Sequence, residues 1–242
     1  MQQAYRAIRV VAETQTVRIS LAAAPSALML RELTAACAAF GAASSSDVKA
    51  VILDIGALSD AGTAQDDPVT PEAVRQVEAA VQAVAPPVLA VARGALSAAA
   101  TALVQAADLA LMDAAATLTA PTDTASAYET IMGRTALQKG YVTWVVESHA
   151  LNNELDIVLD RLRDKSALAL RLAKDSVNIA ARVQQAVRAQ RVVEAQYLAS
   201  TSHLAALQEV NDFYLEHVTQ TADAAEGLRA FLEKRQPQWK NR

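Results

Sequence analysis

Three short runs of mostly apolar residues in the first half of the chain constrain its fold most strongly: Lys49 to Ile55, Val88 to Ala92 and Leu109 to Met112. Runs of this length without regular polar alternation are typical of strands buried on both faces of a parallel sheet. Between the first two, Thr70-Pro71-Glu72 combines a capping hydroxyl, a proline suited to the first helical position and a carboxylate, and predicts a helix to about Ala85. The resulting order β-α-β-α-β predicts an α/β fold with helices over the sheet.

The two ends of the chain carry different patterns. Residues Arg6 to Ala12 and Val17 to Leu21 alternate apolar with polar or small side chains, which predicts an opening hairpin. The last third has helical periodicity with few turn residues, and predicts helices at 151–164, 167–178, 180–217 and 224–234. No linker rich in Pro, Gly or Ser separates the halves, so we predict a β/α core over 1–150 and a helical C-terminal oligomerisation region over 151–242.

Composition excludes several classes of function. The 242 residues carry a formal net charge of −4 with Lys and Arg scattered singly, which argues against nucleic-acid binding. No apolar stretch reaches the roughly 18 residues of a membrane span, and the N-terminus lacks a secretory pattern, so we expect a cytoplasmic protein. Cys37 is the single cysteine and is expected in the core. The three histidines lack recognisable ligand spacing, and we expect no metal.

Small-residue motifs follow the second apolar run. Arg93-Gly94 leads to Ala98-Ala99-Ala100, which Ser97 is placed to cap as a helix, and Ala106-Ala107-Asp108-Leu109 comes next. Two later segments are also distinctive, Ser166 to Lys174 and Ala225 to Arg235, the latter followed by Trp239. Over most of the chain this series resembles the crotonase (enoyl-CoA hydratase/isomerase) superfamily. Three alanines stand where that family has three glycines.

The resemblance implies a crotonase-type ββα spiral core, and a helical C-terminal trimerisation region that gives a homotrimer or a dimer of trimers. It also implies a ligand, an acyl-CoA thioester whose carbonyl is polarised by two backbone N–H groups. Carried onto this sequence, those donors are the amides of Ala61 and Ala99. Phe231 and Lys234 match positions that contact the adenine and phosphates of CoA, although a solvated amphipathic helix explains them equally well. No cofactor is implied beyond the CoA of the thioester itself.

The sequence departs from the family at its acid and base positions. Hydratase members carry a catalytic Glu two residues after the glycine run, where this chain has Ala102. A second Glu normally follows Phe-Gly-x-Pro, whereas Leu118 to Pro121 is followed here by Thr122. Alanine cannot move a proton and threonine does not titrate near pH 7, so we predict little conventional hydratase activity. Residues 127–134, which follow soon after, are similar to a helix and Gly-Arg pair that the family places much later.

Two hypotheses for function therefore stay open. The first is an acyl-CoA lyase or isomerase, with a hydrogen bond from Tyr128 or a substitute carboxylate from the loops: Asp60, Asp66, Asp67, Asp123 or Glu129. Solvated or packed roles for these side chains are the simpler alternative. The second hypothesis is a catalytically inactive scaffold or partner subunit of a hetero-oligomer with a catalytic paralogue. Asp54 lies inside a predicted buried strand, and a charge so placed needs a partner.

Overall fold

The computed structural model describes residues 5–41, 47–58, 68–122, 127–190 and 198–241. Within these ranges the strands are β1 (Arg9–Glu13), β2 (Thr16–Ala22), β3 (Ala50–Leu58), β4 (Val88–Ala92), β5 (Ala95–Leu96), β6 (Leu109–Asp113), β7 (Thr117–Pro121), β8 (Tyr128–Met132) and β9 (Trp144–Val146). The helices are α1 (Ala27–Gly41), α2 (Pro71–Gln82), α3 (Ala98–Ala106), α4 (Gly133–Gln138), α5 (Leu151–Arg163), α6 (Ala167–Gln190), α7 (Leu198–Phe213) and α8 (Ala222–Leu232). A π-helical turn at Tyr214–Val218 follows α7.

The larger sheet has the strand order β1-β2-β3-β4-β6-β9. Its first two strands form the predicted antiparallel hairpin, and every other neighbouring pair is parallel. The predicted β-α-β-α-β order is confirmed, because α2 connects β3 to β4 and α3 precedes β6. A second sheet, β5-β7-β8, was not predicted, since its strands are short and carry no long apolar run.

The central strands are buried on both faces, as their continuous apolar runs predicted. Alternate β3 residues, Val51, Leu53 and Ile55, pack into a core shared with α1, α2 and α3. The opposite face of the sheet, with Ile52 of β3, forms a second core against Leu155 of α5 and its neighbours. Successive side chains on a strand point to opposite faces of the sheet. Because both faces are covered here, both sets of side chains must be apolar.

The beginnings of α2 and α3 follow from their capping residues. Thr70 Oγ1 accepts a hydrogen bond from the Ala73 N–H at 3.2 Å, with Pro71 in the first helical position. The predicted start of α2 is therefore confirmed, although the helix ends at Gln82 rather than near Ala85. In the same way, Ser97 caps α3 as expected from the sequence.

One predicted helix and one predicted helix break are wrong. The family resemblance predicts a helix at residues 127–132, but Tyr128–Met132 is strand β8, antiparallel to β7 with Ile131 opposite Leu118. Alternate burial of β-branched and aromatic residues favours the strand, and helix α4 begins only at Gly133. The expected break between residues 178 and 180 is also absent: α6 continues from Ala167 to Gln190, because no Gly or Pro interrupts it.

The chain divides into two compact units, Met1–Asp164 and Lys165–Arg242. The sequence-based division after residue 150 differs by one element, α5, which packs on the sheet of the first unit. In the second unit, the Asp223 carboxylate is 3% exposed and accepts backbone hydrogen bonds from Lys240 and Asn241 at 2.7 and 2.9 Å. Across the described residues, no helix has the length and apolarity that crossing a membrane would require.

Candidate functional site

An open cleft of about 400 Å³ lies between α2 and α3 in the first unit, and is called the α2–α3 cleft below. Three α2 residues that line it, Pro71, Val74 and Glu78, are spaced i, i+3 and i+7. That spacing places them along one face of the helix. Val77 and Val81 of the same helix are fully buried in the core, which fixes the rotation of α2 and holds this face at the cleft.

The α3 wall of the cleft begins at the first turn of the helix. Ala99 and Ala102 line the cleft, with Gln105 one turn further on. Ser97 Oγ accepts the N–H of Ala100 at 3.3 Å, but none of the described residues accepts the N–H of Ala99. The first N–H groups of a helix have no intrahelical acceptor and lie at its positive end, so they suit a carbonyl oxygen that gains negative charge.

The second sheet closes the cleft on a further side. Pro121 at the end of β7 and Tyr128 at the start of β8 are cross-strand partners, and both line the cleft. Thr101 of α3 is buried, and its Oγ1 accepts the N–H of Thr119 at 3.1 Å. This hydrogen bond joins α3 to β7, so the two walls are fixed to each other.

The structure brings together only part of the predicted site. Ala99 and Ala102 line the same cleft, whereas Ala61 lies outside the described residues. Thr122 follows Pro121 but is not among the residues that line the cleft. Its N–H and its hydroxyl both donate to the carbonyl of Ala127, at 2.9 and 3.0 Å, and so close the connection from β7 to β8. The paired-amide role of Ala61 and Ala99 stays a prediction.

The residues predicted to hold CoA lie in the second unit. Phe231 is on α8 with 79% of its surface exposed. Lys234 follows the helix end in a left-handed conformation, φ 52°, and its N–H donates to the Phe231 carbonyl at 3.2 Å. Both side chains therefore belong to a surface at the end of α8, and their contact with CoA stays a prediction.

The structure also locates the other side chains considered from the sequence. Tyr128 is at the cleft and 64% exposed. Glu129, its neighbour on β8, forms an ion pair with Lys139 and does not line the cleft. The loop carboxylates Asp60, Asp66, Asp67 and Asp123 lie outside the described residues. Within the described ranges, no group of three or more His, Cys, Asp or Glu side chains is arranged to hold a metal ion.

Glu78 is the cleft residue that sequence reasoning missed. It is partly buried on α2, and its burial raises the pKa of the carboxyl above its ordinary value, an effect that the Arg75 charge opposes. Arg75 is itself bound to the Glu72 carboxylate, with Nη2 and Oε2 separated by 2.5 Å. The helical spacing of Glu78 from Pro71 and Val74 was a usable signal, since it places a carboxylate on the same helix face as these two apolar residues.

Comparison with known proteins identifies the fold. No protein-family model matches the sequence, and no curated protein matches it either. Among solved structures, a putative enoyl-CoA hydratase from Streptomyces coelicolor A3(2) superposes with a TM-score of 0.74 at 19% identity, covering 100% of this chain and 97% of the other. An enoyl-CoA hydratase/isomerase from Mycobacterium paratuberculosis gives 0.73 at 20% identity, covering 99% and 100%.

A third structure agrees over the full length. The enoyl-CoA hydratase from Bacillus anthracis has a TM-score of 0.71 at 20% identity, covering 98% of this chain and 100% of its own. These identities are low, so the likeness is one of fold. The chain thus has the crotonase fold of the enoyl-CoA hydratase/isomerase structures, and the resemblance seen in its sequence is confirmed at that level.

Proposed function

We propose that this protein belongs functionally with the crotonases and binds an acyl-CoA thioester in the α2–α3 cleft, with the thioester oxygen on the N–H of Ala99. One observation carries the proposal. The N–H of Ala99 lies in the first turn of α3, has no acceptor among the described residues, and belongs to a residue that lines an open cleft in a crotonase fold. Ala61 is proposed as the second donor. No cofactor is needed beyond the CoA of the ligand.

The walls of the cleft suit an acyl group. Val74, Ala98, Ala102 and Pro121 present apolar surface along it. Burying an acyl chain of a few carbons against such surface is favourable by about 0.8 kcal/mol for each CH₂ group. Phe231 and Lys234 are proposed, on the resemblance, for the adenine and phosphates of CoA. Reaction of the hydratase type is not part of the proposal, because Ala102 has no proton to transfer and Thr122 is engaged by Ala127.

A second candidate function is that of a catalytically inactive partner subunit, assembled with copies of itself or with a catalytic paralogue. The observation that favours it is an apolar face on α8, where Leu228, Phe231 and Leu232 are 63%, 79% and 71% exposed. Residues at i, i+3 and i+4 form one continuous stripe, and such stripes are usually covered by a partner. A homotrimer or dimer of trimers would provide that cover.

Calorimetric titration with butyryl-CoA tests binding, because this saturated ester offers the carbonyl without a double bond to hydrate. S-butyl-CoA, which lacks only the carbonyl oxygen, is the matched ligand. We expect micromolar binding of butyryl-CoA. The thioether S-butyl-CoA should bind about 3- to 10-fold more weakly, which is the usual change in affinity when one hydrogen bond is lost.

Two protein variants locate the binding. Ala102→Leu fills part of the cleft and is expected to weaken butyryl-CoA binding by at least about tenfold, since the added side chain occupies the space of the acyl group. Ala79→Leu makes the same change on the exposed side of α2 and should leave binding unaltered. Absence of binding to the wild-type protein would reject the ligand and leave the partner-subunit hypothesis.

A further inference from the structure

We propose that Glu78 is the catalytic residue of the α2–α3 cleft, and that its carboxylate removes a proton from the α-carbon of the bound acyl thioester. This inference rests on the proposed function, since it needs an acyl thioester in the cleft. Proton transfer at the α-carbon is the isomerase chemistry that the family resemblance implies, and the new element is the base, a carboxylate on α2, which is a different helix from the one that carries Ala102.

The composition of the cleft selects Glu78. Among the described residues that line it, three have titratable side chains: Arg75, Glu78 and Tyr128. An arginine guanidinium has only donors and accepts no hydrogen bond, and a tyrosine offers a single hydroxyl group, whereas a carboxylate has two acceptor oxygens. Glu78 is thus the one carboxyl side chain among the described residues that line the cleft, and a carboxylate is a common general base in enzymes.

The Glu78 carboxylate is also uncommitted. Among the described residues, no donor forms a hydrogen bond or an ion pair with it, whereas Glu72 on the same helix binds both Arg75 and Gln76. The charge of Arg75 acts on Glu78 at longer range, and its guanidinium is held by Glu72. A partly buried carboxylate without a donor on a helix face is costly, which calls for a reason other than stability.

Burial also makes the Glu78 carboxylate a stronger base. Removal of water from around Glu78 raises the pKa of its carboxyl, and this cause outweighs the opposing effect of Arg75. A carboxylate whose pKa lies above the ordinary value holds an abstracted proton more strongly. The positive end of α3, at Ala99, lies across the same cleft and favours the negative charge that forms on the ligand.

The step balances without any further reactant. A Glu78 oxygen takes the α-proton, the C–H electron pair becomes a carbon–carbon double bond to the carbonyl carbon, and the carbonyl electron pair moves to oxygen. The resulting enolate oxygen accepts the Ala99 N–H. The proton then returns from Glu78 to the α-carbon or, in a β,γ-unsaturated acyl group, to the γ-carbon, which moves the double bond into conjugation. The carboxylate is regenerated, so the substrate class is an acyl thioester with acidic α-hydrogens.

The test measures exchange of the α-hydrogens for deuterium. But-3-enoyl-CoA is incubated with the full-length protein in deuterium oxide, and deuterium at the α- and γ-carbons is followed by mass spectrometry and NMR. We expect incorporation with the wild-type protein, and a loss of about 100-fold or more with Glu78→Gln, which keeps the size of the side chain but cannot accept the proton. Glu78→Asp should retain part of the activity.

Controls separate this inference from the proposed function. Glu147→Gln, an exposed carboxylate of the loop after β9, should exchange like the wild-type protein. Glu78→Gln should bind butyryl-CoA within about threefold of the wild-type affinity. Binding without exchange in the wild-type protein, or exchange that persists in Glu78→Gln, would refute the role of Glu78 and leave the proposed function standing. Lack of binding would refute both.

Discussion

Asp54 Oδ1 lies 2.8 Å from Arg93 Nε, and the second oxygen of the same carboxylate lies 3.2 Å from Arg18 Nη1. The carboxylate sits on the buried strand β3, with 8% of the side chain exposed, on the face of the sheet that carries α5. Arg93 also donates to Asn152 Oδ1 of that helix at 2.8 Å. The charge that the sequence left without a role thus connects β2, β3 and the residue that follows β4, and Arg93 extends the connection to α5.

Replacing this carboxylate should destabilise the first unit. In Asp54→Asn the two arginines, which are 23% and 25% exposed at the side chain, lose the anion between them. Removing one partner of a buried pair costs about 3 kcal/mol at the lower end of the usual range, which suits arginines that are partly solvated. Urea unfolding followed by circular dichroism measures the loss. Glu13→Gln, which breaks only the outer ion pair with Arg18, should cost less than about 1 kcal/mol.

Gly56 is expected to tolerate no side chain. Its φ is +88°, and a Cβ built there would lie 2.1 Å from the carbonyl oxygen of Arg93. Gly56→Ala therefore combines left-handed strain with a backbone clash, and should lower stability by more than about 3 kcal/mol or prevent folding. Gly140 has a similar φ of +74° but nothing within 4 Å, so Gly140→Ala should cost about 1 kcal/mol. Equal urea midpoints for the two variants would contradict this account.

The sequence predicted the elements whose signals are local. The opening hairpin, the start of α2 at Thr70 and the buried strands follow from alternation, capping and continuous apolar runs. The β7–β8 pairing was not predictable in this way, because strand β8 is fixed by the contact of Ile131 with Leu118 rather than by its own pattern. A resemblance at the Gly-Arg pair favoured helix there, and tertiary pairing overrode it.

The candidate site was likewise predictable only where a local sequence signal exists. Ala99 and Ala102 were found by their place in a motif, and they do line one cleft. Glu78 belongs to no motif. Its helical spacing from Pro71 and Val74 was a usable signal, but the cleft beside it depends on the packing of α2 against α3, which spacing along the chain does not show. Thr122 shows the reverse case, a motif position that does not line the cleft. Its place in the motif predicted a site residue, but its hydroxyl donates a hydrogen bond to the Ala127 carbonyl.

The raised pKa of Glu78 predicts how stability changes with pH. Because the folded-state pKa lies above the unfolded value near 4.5, the folded protein binds this proton more strongly. Stability relative to Glu78→Gln should therefore be greatest below pH 4.5, fall as pH rises through the folded pKa, and stay constant above it. Glu226, whose pKa Arg235 holds at about 2, should behave oppositely and lose stability as pH falls from about 4.5 to 2. Urea midpoints across this pH range measure both effects, and a Glu78 contribution that rises with pH would contradict the first.

Restoring one carboxylate should create hydratase activity. The wild-type protein is expected to hydrate crotonyl-CoA at little above the background rate, because Ala102 cannot position or deprotonate water. Ala102→Glu places a carboxylate on α3 at the cleft, and an acid or base so positioned is typically worth 10² to 10⁴ in rate. Ala102→Gln, of the same size without the charge, is the control. Wild-type hydration at an ordinary enzymic rate, measured by loss of the conjugated enoyl absorbance, would overturn the prediction.

The exposed stripe on α8 predicts self-association. Leu228, Phe231 and Leu232 together present three large apolar side chains on one helix face, which is unfavourable in water unless a partner covers it. We expect light scattering coupled to size exclusion to give the mass of a trimer or hexamer, and Phe231→Asp to reduce it to that of one chain, since a buried charge would lack a partner. Ala79→Asp, on the exposed side of α2, should leave the mass unchanged. Elution of the wild-type protein as one chain would contradict self-association and leave Phe231 accessible to the adenine of CoA. In that case Phe231→Ala should weaken butyryl-CoA binding without altering the mass.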